Sequence, residues 1–404
     1  RKGNRLLKTE AIMKNILFGI FLTFSCSLMS CGSYDDEYIE VNQFPKYSWT
    51  AAADSASTTF VNRYWNTSVG CFNNTFDGQI AQNDYWPEAH GLDVVVDAYL
   101  RTHDEKYKKV IWDFYDGVKN KNGGKWRHDF YDDMGWHAMA HLRAYYATND
   151  DRFLKSSHDL WTWITEGWND YDGGGIQWKV GTDAESMGKG IPSNGPAAII
   201  AARFAQKYPD ETINGFTNLQ WSLRIYEWMK YHRTVLSTGR IFENYDTTNG
   251  DYSYDVGTFM GAAIELYNIT KEKVYFNDAV KVARYHIANN VNTAYKVMRD
   301  YGEQTGDGGG HDCNLFKGIF VRYFTILIQH PDLSDGDRMR FVAFLKNNAS
   351  YLWTLGTEKP DIKMSPTWWQ MPKGDTSWGD LRSAISGTTT IEAMALLEKN
   401  GFVD

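Results

Sequence analysis

Three stretches of the chain carry the same residue types at the same offsets: Tyr99, Thr102, Asp104 and Tyr107; Tyr145, Thr148, Asp150 and Phe153; Tyr267, Thr270, Glu272 and Tyr275. In each, an aromatic residue ends an apolar-periodic helix, Thr is placed to cap the next one, an acid falls in that helix's first turn, and an aromatic follows one turn on. This is one helical hairpin written three times. Such units cannot bury their apolar faces alone and must stack against neighbours.

Helical periodicity between Gly, Pro, Asn and Asp punctuation marks about twelve helices. Their expected spans are 52–66, 86–101, 103–120, 133–148, 150–167, 194–208, 211–233, 255–269, 271–290, 313–329, 335–355 and 382–399. The even-numbered members are the less charged and carry small residues such as Ala138, Ala140, Ala197, Ala198, Gly261, Ala262 and Ala263, while the odd-numbered members hold the Lys, Asp and Glu. Helices apolar on most sides belong inside and amphipathic ones outside. Twelve helices alternating outer and inner predict an all-α chain, an (α/α)6 barrel of six hairpins in one domain over residues 49–404. Length alone does not decide this, since 404 residues also suit two ordinary domains.

Before that domain, Met13 opens a run with Lys14 as a short positive region and an apolar stretch from Ile16 to Phe24. This is the pattern of a secretory signal, and the stretch falls short of the roughly 20 residues that a spanning helix needs. Leu28-Met29-Ser30-Cys31 resembles the bacterial lipobox, in which the Cys becomes the lipidated first residue. Residues 1–30 are therefore read as an upstream extension and lipoprotein signal, and 31–48 as a linker. The acidic Ser33-Tyr34-Asp35-Asp36-Glu37 resembles signals that send some bacterial lipoproteins to the cell surface. The expected location is the outer membrane, facing the surface or the periplasm and held by the lipid anchor only. Cys71 and Cys313 remain for the domain and are expected as two unpaired, buried thiols.

A net charge of −8 argues against a phosphate backbone as partner, because nucleic-acid binding draws on clustered Lys and Arg. Aromatic residues make up 15% of the chain, with 16 Trp and 25 Tyr. That exceeds what a core needs and suits ligands with apolar faces, such as sugars.

Unusual residues gather just before the inner helices: Trp86-Pro87-Glu88-Ala89-His90, Tyr131-Asp132-Asp133, Asn194-Gly195-Pro196, Tyr254-Asp255-Val256-Gly257-Thr258, Gly308-Gly309-Gly310-His311-Asp312 and Ser386-Gly387-Thr388. In such a barrel all inner N-termini face one end, so these loops would line a single cleft. Glycosidic cleavage needs one acid to protonate the leaving oxygen and one carboxylate at the anomeric carbon, and Asp132-Asp133 supplies the right types. Adjacent residues at a helix start suit the short, roughly 5 Å carboxyl separation of retaining enzymes better than the wider inverting one. From spacing alone, however, the pair reads first as a helix cap.

The residues around the pair change that balance. Tyr131-Asp132-Asp133-Met134-Gly135-Trp136-His137-Ala138-Met139-Ala140 resembles the Asp-Asp signature of glycoside hydrolase family 76, the endo-α-1,6-mannanases. Gly173-Gly174-Gly175-Ile176-Gln177-Trp178, Ser193-Asn194-Gly195-Pro196-Ala197, Tyr254-Asp255-Val256-Gly257-Thr258 and Phe316-Lys317-Gly318-Ile319-Phe320-Val321-Arg322-Tyr323 match in the same order, over most of residues 50–400. The resemblance implies Asp132 as nucleophile and Asp133 as acid/base, acting on α-1,6-linked mannan or manno-oligosaccharides without a cofactor. Asp133 must then stay protonated against the helix dipole, helped by the charge of Asp132 and by desolvation from Trp136 and Tyr131.

Trp86, Trp126, Trp178 and Tyr254 are candidates to stack on sugar rings, and His90, Asn194 and Asp255 to bond hydroxyls, with Tyr131, Trp136 and Gly174 beside them. Core packing or capping is an equal reading for each. His137 and His141 lie at i, i+4 but lack the Glu of a metalloprotease motif, so no metal is expected. The rival readings are another glycosidase or an epimerase on the same barrel, a transglycosidase, and a glycan-binding lipoprotein without catalysis. A monomer is expected.

Overall fold

The computed structural model describes residues 44–80, 84–243, 251–300, 302–303, 312–372 and 380–404. The leader with Cys31, and the run from Gly308 to His311, lie outside the described residues. Among those residues stand twelve α-helices: α1 Trp49–Tyr64, α2 Trp86–Thr102, α3 Glu105–Lys121, α4 Tyr131–Thr148, α5 Asp151–Thr165, α6 Ile191–Lys207, α7 Asn218–His232, α8 Ser253–Thr270, α9 Lys273–Asn289, α10 Cys313–Gln329, α11 Asp335–Thr354 and α12 Asp380–Lys399.

The even-numbered helices close a ring, each touching the next from α2 through α12 and α12 returning to α2. α1 lies on α12, α3 on α2, α5 on α4, α7 on α6 and α9 on α8, with α11 against α10 and α12. This is the expected (α/α)6 barrel. The inner helices carry few charges because both of their sides are covered; α8, for instance, buries every residue from Ser253 to Ile264. Close approach is what small residues there provide. A Cβ on Gly257 would come within 2.8 Å of the Phe320 backbone in α10, and one on Gly318 within 2.7 Å of Ser386 in α12.

The repeated spacing is the turn at the C-termini of α2, α4 and α8, but with its parts differently employed than expected. Thr102, Thr148 and Thr270 end the inner helices and donate back to Ala98, Ala144 and Leu266 carbonyls. The next residues, His103, Asn149 and Lys271, take left-handed φ of 55°, 58° and 61°. Their N–H groups bond to the Tyr99, Tyr145 and Tyr267 carbonyls, which satisfies the helix end. Asp104 and Asp150, not the Thr, cap α3 and α5 by accepting from Lys106 and Arg152 N–H groups. Tyr107, Phe153 and Tyr275 then plug into the core.

Four two-stranded ribbons decorate the described connections. One explains the late start of α7 against an expected 211: Asn214 and Gly215, with φ of 48° and 85°, turn Thr212–Ile213 back onto Phe216–Thr217. Thr217 and Gln220 then form a reciprocal capping box. The two domain thiols are free; Cys71 is buried as expected, while Cys313 is partly exposed. No helix among the described residues is long and apolar enough to cross a membrane.

Candidate active site

Every inner helix begins at the same end of the barrel, and described residues from those helix starts and their approaches line a cleft of about 890 Å³ there. Asp132 and Asp133 lie on it, in the first turn of α4. Neither is the cap. Phe130 occupies that position with extended backbone, and no side chain caps the helix. The capping account of the pair therefore has no bond to rest on.

The two carboxyl groups sit in different surroundings. Asp132 Oδ1 accepts the Asp133 backbone N–H at 3.0 Å, and its Oδ2 accepts Trp178 Nε1–H at 3.2 Å. Both bonds favour the ionised form. Burial opposes them and pushes the Asp132 carboxyl up to about 7, with Glu243 adding to the rise. Asp133 receives no such donor. Its Oδ2 lies 3.2 Å from His128 Nδ1, which already accepts the Phe130 backbone N–H. Burial keeps that imidazole neutral. In the tautomer with the lone pair on Nδ1, Asp133 can share that lone pair with Phe130 N–H only as a protonated carboxyl. Burial first, then the charges of Asp132, Asp312 and Asp84, hold Asp133 well above the usual carboxylate range, against a smaller opposing effect of Arg382. Both carboxyls are thus raised, and Asp133, without a donor among the described residues and beside the charge of Asp132, holds its proton the more tightly.

Of the residues singled out from sequence, Trp86, Trp136, Trp178 and Tyr254 line the cleft with the pair. Tyr254 stacks on Phe316 at 3.8 Å and donates to Glu243 at 2.8 Å. His90 packs beneath this floor, edge-on to Trp86 and against Trp136, where burial keeps it neutral. Trp126 is placed elsewhere, in the core against Tyr115 and His141. Tyr131 turns its ring towards Gly167, away from the cleft lining. Gly174 packs on Trp168.

Asn194 has no free group for a hydroxyl, because it bonds Ile176 N–H, Ile176 C=O and Gly190 C=O at 2.7, 2.9 and 2.8 Å. It fastens the segment that carries Trp178. Asp255 is wholly buried, and both of its oxygens lack a hydrogen-bond partner among the described residues. Burial and the Glu243, Asp300 and Asp251 charges keep it protonated. His137 and His141 are core residues, bonded to the Tyr85 carbonyl and Ser156 hydroxyl.

Sequence reasoning missed His128, Glu243, Lys189 and Arg382. Lys189 donates to the carbonyls of Asn169, Tyr171 and Gly174, three oxygens brought round it by the turn at Gly173 to Gly175. Arg382, from α12, holds Asp84 at 2.8 and 2.7 Å and Asp312 at 2.9 Å, and lies over Trp86. Lys317 and Arg322 lie off the cleft; Lys317 pairs with Glu303, and Arg322 joins Arg143 on Asp93 and Asp97 inside the barrel.

An (α/α)6 barrel with two adjacent carboxyls in unequal surroundings at an aromatic mouth is the framework of a glycoside hydrolase. The chain belongs to glycosyl hydrolase family 76, whose model matches residues 48–404. An α-1,6-mannanase from Salegentibacter sp. HEL1_6, inactivated by replacing two adjacent aspartates with asparagine and solved with α-1,6-mannotriose, is 34% identical. The similarity covers 86% of this chain and 99% of that one, with a TM-score of 0.76. The doubly alanine-substituted form, solved with α-1,6-mannotetrose, is also 34% identical over 87% of this chain and 100% of that one, with a TM-score of 0.77. Mannan endo-1,6-alpha-mannosidase DFG5 of Candida albicans is 24% identical over 356 residues, 80% of this chain and 73% of its own.

Proposed function

We propose that the enzyme is a retaining, endo-acting α-1,6-mannanase that cleaves the α-mannan backbone through a glycosyl-enzyme on Asp132. The observation that carries this reading is the unequal pair: Asp132 accepts two N–H donors, whereas Asp133 lies against the His128 imidazole. In the first step an Asp132 oxygen attacks the anomeric carbon while Asp133 gives its proton to the departing oxygen. Asp133, now a carboxylate, next takes a proton from water, whose oxygen displaces Asp132 and restores both groups. Two inversions return the α configuration.

The choice of sugar is supported by the Salegentibacter enzyme, solved with α-1,6-mannotriose. Trp86, Trp136, Trp178 and Tyr254 supply faces for pyranose rings, with Trp86, Trp178 and Tyr254 proposed to stack. The lipobox at Cys31 supports an enzyme anchored to the outer membrane by lipid, and Cys31→Ala would release it in active form.

The test is incubation of the mature domain with linear and branched α-mannan, with product sizes and the initial anomeric configuration followed by NMR. Internal cuts yielding α-configured ends are expected. β-configured initial products would remove the nucleophile role from Asp132, and no hydrolysis of linear α-1,6-mannan would remove the substrate.

A further inference from the structure

Far from the cleft, on the outer wall, one tryptophan breaks the pattern of the rest. Trp112 of α3 is 58% exposed, whereas the other tryptophans among the described residues are buried or half-buried. Its ring is nonetheless fixed. The Arg152 guanidinium lies over it at 4.1 Å and is itself held by Asp150 at 2.7 Å and by Asp116 at 3.4 Å. The cation leaves the rest of the indole surface to solvent and to the hollow beside it, where an apolar ligand face can lie on it.

Trp112 borders a pocket of about 260 Å³ that also takes in Lys108, Ile111, Asn149 and Asp151. Arg152 is not among its walls, so the cation covers the indole from outside the pocket. Neighbouring polar groups are engaged in the repeated turn: Thr148 bonds back to Ala144, and Asp150 accepts Arg152 N–H. The Asn149 amide and the Asp151 carboxylate, by contrast, have no hydrogen bond or ion pair among the described residues. The left-handed backbone at Asn149, φ 58°, puts this amide at the corner of the turn.

We propose that this pocket is a second, non-catalytic carbohydrate site that holds one hexose of the same polymer on the face of Trp112. An apolar C–H face lies on the indole, and vicinal hydroxyls donate to Asp151 and accept from the Asn149 amide. Lys108 and the Asp151 carboxylate face the pocket together and Asp150 is paired with Arg152, so its walls carry no net positive charge to draw an anion. The site lies at the far end of α4 from the catalytic pair, about 24 Å along a helix that rises roughly 1.5 Å per residue. A trisaccharide therefore cannot fill both sites from one molecule, whereas a long mannan chain can be held at one and cut at the other. The identity of the sugar rests on the mannanase reading; the existence of the site does not.

The experiment uses 5-fluorotryptophan-labelled enzyme with Asp132→Ala and Asp133→Ala to prevent turnover, titrated with α-1,6-mannotriose and followed by fluorine NMR. Trp112→Phe identifies its resonance. A saturable shift of that resonance, abolished by Asp151→Asn, is expected, with the cleft tryptophans titrating on their own curve. A Trp112 resonance that stays still while the cleft resonances move overturns the proposal and leaves the mannanase reading intact. If no tryptophan responds, both fall. In the same background, Trp112→Ala should be retained about three- to tenfold more weakly on immobilised linear α-1,6-mannan, the range of one aromatic stacking contact. In the active enzyme it should leave kcat/KM on mannotetraose unchanged. Undiminished retention would also overturn the site.

Discussion

Asp133 Oδ2 lies 3.2 Å from His128 Nδ1, a nitrogen that the Phe130 backbone N–H already approaches at 3.3 Å. His128 stands against Asp133 alone, whereas Asp132 takes the Trp178 and Asp133 N–H donors, although the two carboxyls are neighbours in one helical turn.

This relationship fixes a pH experiment. On the proposed mechanism, loss of the proton from Asp133 would set the alkaline limb of kcat/KM, and protonation of Asp132, at about 7, the acid limb. His128→Ala removes the acceptor that favours protonated Asp133, so the alkaline limb should move to lower pH. Had His128 been a cation pairing with a carboxylate, its removal would move that limb to higher pH. The pH profile of kcat/KM for both forms decides between the two directions.

Asp255 gives a stability test with a definite sign. Its folded pKa is raised by burial, so the native chain holds a proton near neutrality that the unfolded chain has released. Stability from this group is complete below the unfolded value, roughly 4, and is lost as pH rises towards the folded one. Asp255→Asn binds no proton in either state. Its advantage over the wild type should be small near pH 4 and grow by up to about 1.4 kcal/mol per pH unit above that. Thermal unfolding at pH 5 and pH 7 reads the difference, and an equal gain at both would contradict a protonated Asp255.

Lys189 spends all three ammonium protons on backbone carbonyls of the segment leading to Trp178. Lys189→Met leaves these oxygens without a donor, at about 1–3 kcal/mol for each that stays buried. A lower Tm and a lower kcat/KM are expected together, because Trp178 donates to Asp132. A lower Tm with unchanged kcat/KM would separate the tether from the active site.

These residues also show what was legible beforehand. The barrel could be read because the turn at three of the inner C-termini needs the same parts, and these three copies keep their order in sequence. Roles within the turn could not, since Thr and Asp both cap helices and only backbone geometry assigned the left-handed residue to His103, Asn149 and Lys271. The Asn214-Gly215 turn carried a hairpin signal that a window set for helices passed over. At the site, the Asp pair stands out as two acids before an apolar run. His128 does not, because its partner depends on how residues 122–130 enter α4, and Arg382 reaches the cleft only through ring closure. Asn194 was polar and well placed by order, but residue type does not say that backbone groups already occupy it.

The catalytic roles separate most sharply in single substitutions. Asp132→Ala should abolish hydrolysis of every glycoside, because the bond to the anomeric carbon cannot form. Asp133→Ala should fail on α-1,6-mannan but spare the first step for a dinitrophenyl α-mannoside, whose leaving group departs without a proton. The glycosyl-enzyme on Asp132 would then accumulate, since no base remains to activate water. Azide needs no such base, so adding it should restore turnover and give an α-mannosyl azide after two inversions. Mass spectrometry of the trapped enzyme and NMR of the azide product test both steps. A β-azide would keep the pair catalytic but end the covalent role of Asp132. Near-wild-type rates on α-1,6-mannan for both variants would remove the pair from catalysis and assign the cleavage to other groups.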